Sequence, residues 1–250
     1  MEKSLILIAD SHLGVQSEDV ESMCQFIETC NPELQELVFL GDLFHIWAGP
    51  AKFHTSQIKK LLNTLETFQQ NGGATHLVVG NRDVLFQEYS FRKSNLKLPF
   101  NRISLEFLAF ENIKGNILCA HGDTVNSHDS QYLRWKKTIN NPVFKGCFNL
   151  LPTALAKTIM LRLEKDLQNT NMQFRREFPD LEWTNFMKKV RKKYEAKLLI
   201  IGHFHPTTMI VNQNDNITGI VLPAWCDNNQ YLELEPSLNY SLKQFQQQER

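Results

Sequence analysis

Five short apolar runs organise this chain, and each stops on a residue that carries an oxygen or nitrogen donor. Residues 5–9 lead into Asp10-Ser11-His12, 37–40 into Gly41-Asp42, and 77–79 into Gly80-Asn81. Residues 117–120 lead into His121, and 198–201 into Gly202-His203-Phe204-His205. Short continuous runs of Leu, Ile and Val read as strands buried on both faces. Between the early runs the period changes. Val20, Met23, Cys24 and Ile27 recur at helical spacing behind Ser17, a candidate N-cap with acids in the following turn. Ile58, Leu61, Leu62, Leu65 and Phe68 give a second helix its apolar face, and Asn71-Gly72-Gly73 stops it. Strand, donor loop and helix therefore repeat, which predicts an α/β layering with its site beyond the carboxyl ends of the strands.

The pattern changes over residues 125–196. Asn140-Asn141-Pro142 breaks the chain, and Phe144, Phe148, Leu150, Leu151, Leu155, Ile159, Met160 and Leu163 follow in a stretch too apolar for an ordinary surface helix. We expect a helical insertion over the site here, within a single domain spanning 1–250: a lid with an apolar inner wall, or a face resting on a membrane. Packing into the core is the competing reading. From Thr207 onward, short β-like runs alternate with Asn-rich turns, which predicts an antiparallel second half of a sandwich.

Composition narrows the class. Lys+Arg and Asp+Glu are equal at 27 each, so no overall field favours nucleic acid as a partner. No stretch approaches the roughly 18 apolar residues of a membrane-spanning helix, and the apolar N-terminus reads as a strand instead of a signal peptide. The five cysteines are scattered without a C-x-x-C, which suits reduced thiols in a cytosol. The basic run 188–193 reads as a solvated helix face, or as an attractor of anionic headgroups beside an apolar lid.

Taken singly, a D-x-H, an Asp after Gly or an H-x-H is a weak signal. Together, Asp10, His12, Asp42, Asn81, His121, His203 and His205 supply seven O and N donors from loops that each follow a strand. Seven donors serve two cations if the carboxylate of Asp42 bridges them. Carboxylate, amide and imidazole without thiolate favour Mn²⁺, Mg²⁺, Fe²⁺ or Zn²⁺. Paired cations roughly 3.5–4 Å apart lower the pKa of water and clamp phosphoryl oxygens, so the pattern points to phosphoester or phosphoanhydride hydrolysis.

In order and spacing, D-S-H, G-D-L-F-H, G-N-R-D, H-G-D and G-H-F-H resemble the calcineurin-type metallophosphoesterases. The resemblance implies an α/β/β/α sandwich with two divalent metals, manganese first among them. Asp10, His12, Asp42 and His205 match the ligands of one metal, and Asp42, Asn81, His121 and His203 those of the other. The sequence is similar in particular to the UDP-2,3-diacylglucosamine hydrolases of lipid A synthesis, which share G-N-R-D where most of the superfamily has G-N-H-D. An arginine is no proton donor near neutral pH, so Arg82 is expected to hold phosphate oxygens. Catalysis is then expected of Asn81, Arg82 and His121, with Asp129 and Tyr132 joining Asn81 and Arg82 in substrate binding. Leu151-Pro152 and Ala224-Trp225 extend the likeness.

The implied activity releases UMP and a lipid 1-phosphate from a UDP-linked diacylated glucosamine, in the cytoplasm and peripherally at the membrane's inner face. No obligate protein partner is expected. Three departures stand against this substrate: His45 in place of an acid, Pro206 directly after His205 where that family has an Arg, and Glu164 and Leu167 at substrate-contact positions. The same chemistry on another nucleotide diphosphate or phosphodiester is the near alternative. A catalytically silent binding or scaffold protein is the distant one.

Overall fold

A computed structural model describes residues 2–14, 17–86, 89–90, 98–126, 130–152, 154–155, 158, 162, 178–214 and 216–247. Its strands are β1 (Ser4–Ile8), β2 (Gln35–Phe39), β3 (Trp47–Ala48), β4 (Ala74–Val78), β5 (Asp83–Val84), β6 (Tyr89–Ser90) and β7 (Arg102–Ser104). They continue with β8 (Phe107–Phe110), β9 (Asn116–Ala120), β10 (Ala196–Ile201), β11 (Ile210–Asn214), β12 (Ile217–Val221), β13 (Gln230–Leu234) and β14 (Tyr240–Gln244). The helices are α1 (Ser17–Thr29), α2 (Ser56–Gln70), α3 (Ser130–Ile139), α4 (Pro142–Leu150), α5 (Asp180–Tyr194) and the single turn α6 (Trp225–Asn228).

Among the described residues one sheet has seven strands, ordered β14-β13-β1-β2-β4-β7-β6, and a second has five, ordered β11-β12-β10-β9-β8. The centres of both sheets are parallel. Alternation along each strand sorts its side chains into layers. On β1, Ile6 and Ile8 face α1 and α2, while Leu5 and Leu7 face the second sheet. On β10, Leu198 and Ile200 point back at the first sheet, whereas Leu199 and Ile201 meet Trp183, Met187 and Val190 of α5. The layers are therefore α/β/β/α, as the motif resemblance implied. Helix α2 buries the expected face of Ile58, Leu61, Leu62, Leu65 and Phe68, and the Thr55 side chain accepts from the Ile58 amide as its N-cap. Each such apolar side chain contributes about 1.5–3 kcal/mol when fully buried.

Two expectations change. The C-terminal strands do not all form an antiparallel half of the second sheet. Strands β11 and β12 join that sheet, with β12 parallel to β10, but β13 and β14 return to the first sheet, β13 antiparallel to β1. Leu232 and Leu234 are apolar enough for either sheet, and pairing with Leu7 and Leu5 buries both completely. Within 125–196, α5 packs on the second sheet: Trp183 is fully buried and its indole N–H donates to Asn212 Oδ1 at 2.9 Å. The lid expectation thus rests on the segment before α5. There, Ile139 of α3 and Phe144 of α4 pack with Ala48, Phe53, Val84 and Leu85 around the small β3–β5 pair. Val143 and Leu150 remain exposed. Ile159, Met160, Leu163, Glu164 and Leu167 lie outside the described residues, as does the Phe148 side chain.

Candidate metal centre

The donor loops follow β1, β2, β4, β9 and β10, and backbone bonds lace them together. Asp10 N donates to Gly41 O, His12 N to Asp42 O and Gly202 N to His121 O. Glycine permits the approach. A Cβ on Gly80 would collide with the Asp42 amide and carboxylate, and one on Gly202 with the Asp10 carboxylate. Five of the seven expected ligands adopt left-handed backbone: Asp10 (φ 49°), His12 (44°), Asp42 (52°), His203 (72°) and His205 (46°). Non-glycine residues rarely do so, and each such residue costs of order 1–3 kcal/mol, strain that concentrates at functional sites.

The seven side chains converge. Two groups have donor atoms within 4.8 Å of one another: Asp10, Asp42 and His121, and His12, His205 and Cys226. His12 Nε2 and His205 Nε2 are 3.3 Å apart, and His12 Nε2 is 3.9 Å from Asp42 Oδ2. On the other side, His121 Nε2 lies 2.9 Å from Asn81 Oδ1, 3.2 Å from His203 Nδ1 and 3.6 Å from Asp42 Oδ1. Asp42 therefore faces both imidazole groups.

The residues fit cations. His121 Nδ1 is 2.8 Å from the Leu40 carbonyl oxygen, so the neutral ring keeps its proton there and turns the Nε2 lone pair toward Asn81 Oδ1. A lone pair facing an amide oxygen and a carboxylate is an arrangement that positive charge resolves. Asp10 Oδ1 and Asp42 Oδ2 are buried without a hydrogen-bond partner among the described residues, a cost that a cation offsets. The electrostatics agree. Burial alone would raise Asp10, but the imidazoles of His205, His121 and His12 outweigh it and hold its carboxyl well below the usual range. Burial would lower His121, yet the charges of Asp42, Asp10 and Asp123 push it up.

Other residues take places that the motifs did not assign. Asp83 Oδ2 accepts from the Asp42 amide at 2.8 Å and the Gly80 amide at 2.9 Å, stapling two donor loops. Burial and the charge of Asp42 push Asp83 up to about 7. The Arg82 amide donates to Asp42 Oδ1 at 2.8 Å, and its guanidinium reaches the His45 carbonyl at 3.3 Å. His45, Arg82, His12, His205 and Cys226 line one cavity of about 570 Å³. His45 thus belongs to the site's surroundings. Trp225 also lines it, while Trp47 is a core residue among Phe44, Phe86 and Phe100. His76 is a buried core histidine and His54 bonds the Gly49 carbonyl. Asp129, His128 and the Tyr132 side chain lie outside the described residues. Cys226 was missed because it stands 21 positions beyond His205, and the Ala224-Trp225 likeness just before it assigns the thiol no role.

Two stacked α/β layers whose strand ends gather carboxylate, amide and imidazole donors define a metal-dependent phosphoesterase. The profile of the Calcineurin-like phosphoesterase family matches residues 3–207, and the chain belongs to that family of metal-dependent hydrolases. It is 25% identical over 242 residues to a UDP-2,3-diacylglucosamine hydrolase of Vibrio vulnificus (strain YJ016), covering 96% of each chain. It is 26% identical over 244 residues to that of Vibrio cholerae (strain M66-2), covering 95% of each. It is 26% identical over 242 residues to that of Wigglesworthia glossinidia brevipalpis, covering 94% of this chain and 92% of the relative. Among solved structures, an archaeal phosphodiesterase aligns over 97% of this chain and 99% of its own, with 12% identity and a TM-score of 0.48.

Proposed function

We propose that this protein hydrolyses the diphosphate of UDP-2,3-diacylglucosamine at the α-phosphorus, giving UMP and 2,3-diacylglucosamine 1-phosphate. The observation that carries this reading is the end-to-end match to hydrolases of that name. Arginine at position 82, beside Asp42, supports it. Two divalent cations, manganese in our reading, would be held by Asp10, His12, Asp42 and His205 and by Asp42, Asn81, His121 and His203; when bound they polarise phosphate oxygens and make water acidic enough to attack. Asp42, with Oδ2 toward His12 and Oδ1 toward His121, would be shared by both ions. Leu40 fixes the tautomer of His121. Arg82 stays charged at every working pH and would hold phosphate oxygens through its guanidinium, as Asn81 would with its amide. Asp129 and Tyr132 are proposed substrate contacts.

We place the work at the inner face of the cytoplasmic membrane. Among the described residues no helix is long and apolar enough to cross a membrane. The exposed Val143, Leu150 and Leu155 support peripheral contact instead.

The test is UMP release from UDP-2,3-diacylglucosamine with Mn²⁺ and with chelator, for wild type, Asp42→Ala and Arg82→Ala. Metal-dependent turnover lost in both variants supports the proposal. A second reading, another nucleotide diphosphate or phosphodiester, draws on one observation: His45 puts a ring 6.3 Å from that of His12. Cleavage of a generic phosphodiester with no turnover of the lipid would favour it. Silence on both substrates with no metal bound would favour a scaffold.

A further inference from the structure

We propose that Cys226 is a thiolate ligand of the cation held by His12 and His205, which makes that half of the centre softer than its other donors suggest. The inference rests on the metal-centre reading above and names a donor that the family motif set lacks. The family match ends at residue 207, and Cys226 arrives from a separate element. Helix α6 starts where the chain leaves the second sheet. It is pinned to the first donor loop by two backbone bonds, Trp225 N to Ala9 O at 2.8 Å and Cys226 N to Asp10 O at 3.4 Å. Cys226 therefore moves with Asp10 and His12 and not with a distant surface.

Three further observations point the thiol at a cation. Its Sγ lies within 4.8 Å of donor nitrogens on His12 and His205, whose own Nε2 atoms are 3.3 Å apart. Asp10 Oδ1, buried and without a hydrogen-bond partner among the described residues, lies 3.5 Å from His205 Nε2 and faces the same place. Asp227 Oδ2 lies 3.8 Å from His205 Nδ1, so the outer nitrogen of that ring has a carboxylate beside it while Nε2 points inward. Cys226 is exposed to the cavity, which leaves its thiol a path for losing its proton to solvent on coordination. The core cysteines offer no such alternative. Cys24, Cys30 and Cys119 are buried, and burial pushes the last two up to about 12.

A thiolate added to the imidazoles of His12 and His205 and the carboxylates of Asp10 and Asp42 shifts the preference of that half from Mn²⁺ toward Zn²⁺, Co²⁺ or Fe²⁺. The other half, with Asn81, His121 and His203, contains no sulfur. The two halves should then differ in metal preference.

The test loads metal-free protein with two equivalents of Co²⁺ and reads near-ultraviolet absorption. A thiolate-to-cobalt charge-transfer band present in wild type and in Cys147→Ser, but absent in Cys226→Ser, is the expected result. Zinc affinity should fall about tenfold or more in Cys226→Ser, the size of loss that follows removal of a metal-site partner, while manganese affinity changes little. Two bound Co²⁺ without the band, or a band that survives in Cys226→Ser, overturns the assignment and leaves the metal centre standing. Failure of wild type to bind Co²⁺ at all overturns the metal-centre reading together with it.

Discussion

His121 Nδ1 lies 2.8 Å from the carbonyl oxygen of Leu40, and this bond, with that from His203 N to Asp10 Oδ2 at 2.6 Å, joins the two sheets at the site. Leu40 follows β2 in the first sheet and His121 follows β9 in the second. The bond orients the imidazole so that Nε2 faces Asn81 and Asp42, which belong to the first sheet's loops. The donor set is thus closed only when the two sheets are stacked in register.

Asp42→Ala removes the carboxylate that faces both imidazole groups. We expect bound metal to fall from two ions per chain to one or none. Turnover should drop by more than about 100-fold, beyond the loss that follows removal of an outer partner. Elemental analysis of the purified variant beside its initial rate checks this; a variant that retains both metals and full rate refutes the bridging role.

Asp83→Ala leaves the amides of Asp42 and Gly80 buried without their acceptor. Each orphaned group costs about 1–3 kcal/mol. We expect chelator-treated protein to lose about 2–6 kcal/mol for the two amides together and metal affinity to fall as the two loops separate. Chemical denaturation in chelator, followed by metal titration, separates the two effects.

Metal should stabilise the fold, because Asp10 and Asp42 bury unpaired carboxylate oxygens. At a free concentration 100 times Kd the gain is about 2.7 kcal/mol for one site. For a chain of this size that corresponds to a rise in Tm of roughly 5–10 °C. Thermal melts with Mn²⁺, Zn²⁺ or chelator test it, and identical melting in all three would count against a metal centre.

Away from the site, His76 makes stability depend on pH. Burial lowers its pKa from 6.5, and the Arg102 charge acts in the same direction against a hydrogen bond to Glu36. Arg102 Nε donates to His76 Nδ1 at 3.2 Å, so the ring holds its proton on Nε2, 3.0 Å from Glu36 Oε2. With the folded pKa below the unfolded one, the unfolded chain binds the proton first. Stability is therefore full above pH 6.5 and declines as pH falls below it. The slope is at most about 1.4 kcal/mol per pH unit for one group. Glu36, held below its usual 4.5 by that bond despite burial, adds a further loss at lower pH. Denaturation curves at pH 8 and 5.5 should converge for His76→Gln relative to wild type.

Trp183→Ala should cost about 3–5 kcal/mol, because the indole is fully buried against the second sheet. Leu181→Ala on the same helix, 70% exposed, should stay within about 0.5 kcal/mol of wild type. Equal effects of the two would mean that α5 is not part of the sandwich.

The sequence by itself determined the strand–loop–helix order, the layered fold class and the positions of the donors. These are local: an apolar run followed at once by Asp, Asn or His shows in a short window, and so does the periodicity of α2. What only the tertiary structure decided is which elements meet. Leu232 and Leu234 have the alternation of any half-buried strand, and nothing in that period says that β13 pairs with β1. Trp183 and Met187 fall inside the 125–196 span expected as a lid, yet they cover a sheet. Asp83 closes the G-N-R-D motif without a role of its own until β2 and β4 lie side by side and present two amides to it. Cys226 reads as one scattered cysteine until α6 is pinned to Ala9 and Asp10. In each case the partners lie far apart along the chain, and sheet order, not sequence period, brings them within reach.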